Sequence, residues 1–223
     1  MEGMAFSLRL SFQVATLAAL LTLLLGTALA YLLATRSFRG KELLDMVLTL
    51  PMVLPPVVTG YFLVLLVGRN GVVGRTVHAL TGADFSIMFT WYAAVLAAFV
   101  VSLPLMIKTA RAAFESVDQN LINASYTLGR TELETIWRVV LPLARKGIVA
   151  GLTLAFARGL GEFGATLMVA GNIPGKTNTM PLEIYNRVVY GAWAQAAWPV
   201  AFFTVVSGLF IYLANRLNKR SFL

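Results

Sequence analysis

Arg158 and Glu162 stand four residues apart inside the apolar run LTLAFARGLGEFGATLMVAG. On a helix that spacing sets a guanidinium beside a carboxylate, which suits either a buried pair that fixes helix packing or a charge placed along an ion path. Farther on, AGNIPGKT, Ala170 to Thr177, matches a relaxed phosphate-loop pattern in which Ala replaces the first Gly. A working phosphate loop joins a buried strand to a helix whose N-terminus holds the phosphates, whereas this segment follows a long apolar run, so it is not expected to hold nucleotide. The rest of the chemical inventory is sparse. A single histidine, His78, builds no metal site, and the lack of cysteine excludes disulfides, thiol catalysis and Cys-based metal centres. A membrane-anchored enzyme needs a convergent set of nucleophile, base or metal ligands, and the sequence offers none.

The elements that carry these residues follow from composition. Hydrophobic residues make up 58% of the 223, charged residues 13%, and the mean hydropathy is +0.77. A soluble domain carries about 25% charged residues, so the chain belongs in a bilayer. Runs long enough to cross about 30 Å of hydrocarbon lie at Leu10–Ala34, Asp45–Val67, Ile87–Ile107, Ile148–Gly171 and Trp198–Ala214. The expectation is an all-α integral membrane protein of about five transmembrane helices, residues 1–223 forming one transmembrane domain. The first run is too long for a signal-peptide core and RSFRGK is no cleavage site, so it is expected to be a mature helix.

Five spans put the two ends on opposite sides, and the basic residues choose between them. Most of the 18 Lys and Arg fall on one side: Arg36, Arg39 and Lys41 after the first span, Lys108, Arg111, Arg130, Arg138, Arg145 and Lys146 after the third, and Arg216, Lys219 and Arg220 at the end. The other side holds Arg9, Arg69, Arg75, Lys176 and Arg187. The positive-inside rule then puts the N-terminus outside and the C-terminus in the cytoplasm. Charge spread around apolar runs in this way orients a membrane protein and does not form a nucleic-acid stripe.

Two stretches interrupt the apolar pattern. In LPMVLPPVVTGY, Pro51, Pro55, Pro56 and Gly60 fall inside the second run. Proline removes backbone donors, and lipid tolerates that only where neighbouring helices or a water-filled cavity serve the freed carbonyls, so the stretch is a packing kink or a break lining a path. On the cytoplasmic side, residues 119–128 suit a short helix, Gly129 ends it, and Thr131 with Glu134 forms a capping-box pattern that starts another. A short hairpin of this kind cannot bury Leu121, Tyr126, Leu128, Ile136 and Trp137 against itself. Lipid headgroups or a partner protein must cover them.

This hairpin resembles the cytoplasmic segment of permease subunits of type I ABC importers. Their signature is Glu-Ala-Ala, three residues, Gly, nine residues, then Ile-x-Leu-Pro. Here Asn123, Ala124, Ser125, Gly129, Val139, Leu141 and Pro142 fall at the matching positions, with the spacing kept and the first, third and Ile positions changed. Asn123 also removes a charge. The strings LPMVLPPVVTGY with GRNGVVG, and AFARGLGEFGATLMVAGNIPGKTNTMPLEIY, are similar to the oxyanion branch of the class, nearest to its molybdate permeases, with tungstate and sulfate/thiosulfate permeases close by. The resemblance implies a homodimer in the cytoplasmic (inner) membrane, served by an external oxyanion-binding protein and by two copies of a separate ABC ATPase that dock on a coupling segment at about residues 115–146. It also implies that this subunit is not an enzyme and binds no cofactor, ATP and Mg being held by the ATPase. Arg158, Glu162, Gly161, Gly164, Pro55 and Pro56 are then candidates for the translocation path or for a buried pair beside it. A secondary anion transporter is the rival reading; such proteins tend to show internal repeats, and the sequence shows none.

Overall fold

The computed structural model describes residues 2–83 and 86–220, and every regular element among them is helical. Helix α1 (Glu2–Leu21) passes through a π-helical turn (Thr22–Gly26) into α2 (Thr27–Thr35), forming one rod. α3 (Lys41–Val53) and α4 (Pro56–Val67) follow, then α5 (Val72–Thr81) and α6 (Trp91–Glu115). α7 (Gln119–Thr127) and α8 (Glu132–Thr135) form the hairpin, and a second π turn (Ile136–Val140) joins α8 to α9 (Leu141–Leu160). α10 (Gly164–Ala170), α11 (Met180–Val189) and α12 (Trp193–Arg220) complete the chain.

Among the described residues, five helical stretches are long and apolar enough to cross a membrane: Gly3–Thr35, Pro56–Thr81, Trp91–Glu115, Glu132–Leu160 and Trp193–Tyr212. The number agrees with the sequence reading, but two spans differ in construction. The expected second span, Asp45–Val67, is two helices, because Leu54 is held extended (ψ 143°) before Pro55 and Pro56 supplies the first residue of α4. The expected fourth span, Ile148–Gly171, begins far earlier and stops sooner. Its helix starts in the hairpin at Glu132, ends at Leu160, and resumes as α10 only after the break at Gly161–Phe163.

α6 is the central helix. It packs against α1, α2, α3, α9 and α10 and buries Ala93, Ala94, Ala97 and Ala98 on one side, Met106, Ile107 and Ala110 on the other. Small residues let backbones approach where lipid supplies no hydrophobic drive between helices. A Cβ on Gly26 would sit 2.8 Å from Met106 Cγ, and one on Gly151 would sit 2.8 Å from Met106 Sδ, so the first and fourth spans both close on this methionine. Thr22 donates to the Ala18 carbonyl (2.6 Å) and lies 3.3 Å from the Ser102 hydroxyl.

The bundle has two distinguishable ends. Lys108 and Arg111, near the end of α6, bind Asp45 of α3 and so place α3 at the hairpin end. At the far end, the Phe89 amide donates to the Val169 carbonyl (3.0 Å) and the Met180 amide to Ser11 Oγ (2.8 Å). α12 runs antiparallel to α9, with the Phe210 ring tilted against Phe156 at 4.1 Å between centroids and Ser207 lining the same cavity as Gly161. The N-terminus therefore starts at the far end, and α12 runs toward the hairpin.

Candidate functional site

The hairpin is built from local rules. Asp118 caps α7 by accepting from the Asn120 amide (2.9 Å). At its other end the Gly129 amide donates to Tyr126 O (2.9 Å) and the Arg130 amide to Ser125 O (3.2 Å), the paired bonds of a Schellman stop with Gly129 at φ +78°. Thr131 then opens α8 with a complete capping box: its hydroxyl accepts from the Glu134 amide, and a Glu134 oxygen accepts from the Thr131 amide at 3.0 Å. The other Glu134 oxygen takes the Arg130 guanidinium at 3.0 Å, so the carboxylate is held from both sides.

The two helices are joined by a buried hydroxyl pair, Ser125 Oγ to Thr135 Oγ1 at 2.9 Å. Arg36, after the first span, donates to Glu132 and ties the hairpin to the rod α1–α2. The apolar residues singled out above face outward: Leu128 is 81% exposed and Trp137 70%, with Leu121 and Tyr126 also exposed; Ile136 is half-buried. Among the motif positions, Asn123, Ala124 and Gly129 are exposed, Ser125 is buried, and Asn123 accepts from Gln119 (3.1 Å). Val139, Leu141 and Pro142 lie on the second arm. That arm is no short helix, since it continues without interruption into the fourth span. Pro142 cannot donate to the carbonyl four residues back, and the π turn immediately before it absorbs the mismatch.

The second candidate site lies where two interrupted spans meet. Arg158 Nη1 is 2.8 Å from Glu162 Oε2, with Arg158 half-buried and the Glu162 residue 3% exposed. The pair does not sit on one helix, as the spacing suggested, because α9 ends at Leu160 and Glu162 lies in the break. Its Oε1 accepts from the Ala165 amide (2.8 Å) at the start of α10. Oε2 touches the guanidinium off the hydrogen-bond axis and has no hydrogen-bond donor among the described residues.

Gly164 adjoins the other break. A Cβ there would meet Pro56 Cβ at 3.0 Å and Val57 N at 3.2 Å, and one on Gly60 would meet Met168 Cβ at 2.7 Å. α4 and α10 thus leave their breaks side by side in the same direction. Pro56, Gly164 and Glu162 are brought together, while Pro55 and Gly161 are exposed at the margins. Thr59, in the first turn of α4, is buried with a hydroxyl that finds no partner among the described residues; the sequence reading missed it, and one threonine in an apolar run gives no signal. It also missed Asp45 as an anchor, although a lone acid in an apolar run is such a signal. Burial alone would raise the Asp45 pKa, but Lys108 and Arg111 outweigh it and hold the carboxyl below its usual range.

The AGNIPGKT segment has none of the geometry of a phosphate loop. It follows helix α10, and its Ile173 carbonyl accepts from the amides of Lys176, Thr177 and Asn178. Thr177 is spent inside the turn, accepting from the Ile173 amide (3.0 Å) and donating to Gly171 O (3.4 Å), and the next helix starts only at Met180.

A broken-helix bundle with an outward-facing hairpin matches a known sequence family, described as the binding-protein-dependent transport system inner membrane component, over residues 4–222. The chain belongs to this family. Among curated relatives, the molybdenum transport system permease protein ModB of Haemophilus influenzae is 40% identical over 96% of this chain and 93% of its own length. The protein of the same name from Escherichia coli K12 is 47% identical over 80% and 77%. A putative molybdenum transport system permease of Bacillus subtilis is 38% identical over 93% and 90%. Among solved structures, a chain of a bacterial ABC transporter that imports alginate superposes with a TM-score of 0.83 at 17% identity, covering 99% of this chain and 80% of that one. A chain of the MetNI methionine ABC transporter gives 0.74 at 14%, covering 96% and 94%. The fold is that of ABC importer permeases, and the family is one of multi-pass membrane subunits.

Proposed function

We propose that the chain is the permease subunit of an ATP-driven importer that moves molybdate across the cytoplasmic membrane, two copies enclosing a central path. The observation that carries this reading is the similarity, along nearly the whole chain, to proteins named as molybdenum transport permeases. An external binding protein delivers the oxyanion, and two copies of a separate ATPase, which hold ATP and Mg, dock at the hairpins on the cytoplasmic side. The permease itself makes and breaks no covalent bond.

The geometry supports a mechanical role for the hairpin. Its exposed Leu128, Leu133 and Trp137 form an apolar tip that nothing among the described residues covers, as a docking element requires. The arm behind that tip is a continuous helix of 29 residues, Glu132–Leu160, about 43 Å long at 1.5 Å per residue. A rod of that length delivers a displacement of the docked hairpin to the break at Gly161–Phe163, beyond which Gly164 meets Pro56 and Val57 at the start of α4. ATP binding on the partner then biases two arrangements of the broken spans, a population shift between access to one side and to the other.

The test is uptake of radiolabelled molybdate into proteoliposomes holding this chain with its ATPase, with and without the binding protein. ATP-dependent accumulation that needs the binding protein supports the reading. Uptake that runs without ATPase would refute it, and stronger competition by unlabelled sulfate than by molybdate would reassign the cargo.

A further inference from the structure

At the far end of the bundle a cleft of about 340 Å³ opens between the start of α1 and the turn 171–179, lined by Arg9, Gln13, Trp91, Gly175 and Lys176 among others. Arg36, Lys108, Arg111, Arg130, Arg158 and Arg187 are each paired with a carboxylate, whereas Arg9 and Lys176 pair with none among the described residues, and no carboxylate lines the cleft.

Their proximity is built into the fold. The turn that carries Lys176 is closed by the Ile173 carbonyl and Thr177, with Gly175 at φ +72°. It is fixed to α1 by the buried bond from the Met180 amide to Ser11 Oγ (2.8 Å), two residues along the chain from Arg9. Gln13 follows Arg9 by one helical turn and so shares its face. The side chains at the rim offer donors: a guanidinium, an ammonium, an amide and the Trp91 indole N–H. Two like charges held in one concave site raise the local potential for anions, and a group with several acceptor oxygens relieves the repulsion between them.

We propose that this cleft is a binding site for a tetrahedral oxyanion group. Two sources offer that chemistry: a free dianion on its way to the central path, which rests on the import reading above, and the phosphate of a phospholipid headgroup at the membrane surface. A free dianion suits the cleft better, since both cations lie in one pocket that also presents Gln13 and Trp91, and a dianion answers both charges at once.

The test uses the permease with its ATPase, purified in a maltoside detergent free of phosphate groups. Binding of radiolabelled tungstate is measured by equilibrium dialysis, and retention of added phosphatidylglycerol by native mass spectrometry. Wild type is compared with Arg9→Gln/Lys176→Gln and with the charge-keeping Arg9→Lys/Lys176→Arg. The same ATPase in all three makes any site it holds cancel. If the double neutral variant does not assemble, the single variants Arg9→Gln and Lys176→Gln take its place. A threefold or greater loss of tungstate affinity in the neutral variant, recovered in the charge-keeping one, supports the site with the free dianion as occupant. The same loss confined to phosphatidylglycerol retention supports the site with lipid phosphate as occupant. A change below threefold in both measurements overturns the proposal. The import reading fails separately, if proteoliposomes accumulate no molybdate while either ratio still moves.

Discussion

Gly129 is the point at which the docking role of the hairpin is most directly tested. It has φ +78°, and a Cβ built there finds no atom within 4 Å, so a substitution meets no steric wall and its whole effect is backbone strain. Holding an L-residue in the left-handed region costs about 1–2 kcal/mol, and a β-branched side chain stands at the upper end. The chain can relieve that strain only by giving up the Schellman bonds from Gly129 to Tyr126 and from Arg130 to Ser125, worth about 0.5–1.5 kcal/mol each. The cheaper of the two routes sets the cost, so the observed turn is disfavoured by roughly 1–2 kcal/mol, a factor of about 5 to 30 in the fraction of hairpins ready to dock. Gly129→Val is therefore expected to leave the spans inserted and to weaken ATPase retention by up to that factor. Gly129→Asn, a residue that tolerates this region, should lose much less. The matched control is Gly82→Val, at the end of α5, with φ +69° and equally open surroundings; Gly74 does not serve, because it is buried and a Cβ there would collide with the Gly68 and Arg69 carbonyls. The assay is copurification of the ATPase over a range of its concentration, with stimulation of hydrolysis by the loaded binding protein in proteoliposomes. If Gly129→Val holds the ATPase and is stimulated like wild type, the hairpin is not the docking element and lies instead against lipid headgroups.

Three further expectations follow from the geometry. Exchanging the charges, Arg158→Glu with Glu162→Arg, should reduce assembled protein, since an arginine at 162 cannot accept from the Ala165 amide and a lost cap alone costs about 1 kcal/mol; assembly and transport at wild-type levels would show that the pair is not needed. In the Ser125–Thr135 pair, either single replacement, Ser125→Ala or Thr135→Val, strands a buried hydroxyl or its site and should destabilise the protein by about 1–3 kcal/mol, while the double replacement should cost less than the sum. Thermal unfolding of the four species checks this, and plain additivity would count against a direct bond. Cysteines placed at Ser37 and at Ser221, the latter outside the described residues, should resist an impermeant external label in intact cells; ready labelling of both would invert the topology.

The hairpin was legible in the sequence because its rules are local. Gly129, Thr131 and Glu134 specify a stop, a cap and a start within six residues, and each signal depends on backbone groups only a few positions away. Its apolar residues were equally legible as uncovered, since a helix of nine residues has no room to hide Leu121, Tyr126 and Leu128. What sequence missed was the far boundary of the second arm. Arg138, Arg145 and Lys146 read as the edge of a cytoplasmic loop, but a helix can carry long basic side chains at a membrane surface without ending there. The π turn that lets it pass Pro142 has no residue signature of its own.

The breaks show the opposite balance. Prolines at 55 and 56 announced an interruption, and the structure has one: Leu54 and Pro55, each followed by proline, are extended at ψ 143° and 137°, as that position favours, whereas Leu141 stays helical before Pro142. The break at Gly161 has no such marker. Glycine permits a helix to stop but does not require it, and Gly147, Gly151 and Gly159 of α9 all continue the helix. What favours a stop at Gly161 is tertiary: Glu162 accepts from the Ala165 amide only by leaving the helical path, and Gly164 gains its contact with Pro56 only if α10 starts afresh. An i, i+4 spacing of opposite charges normally argues for a helix that runs through both residues. Here the same two residues are four apart across the end of one. Only the neighbouring half-helix, itself started by proline, explains why the carboxylate turns inward.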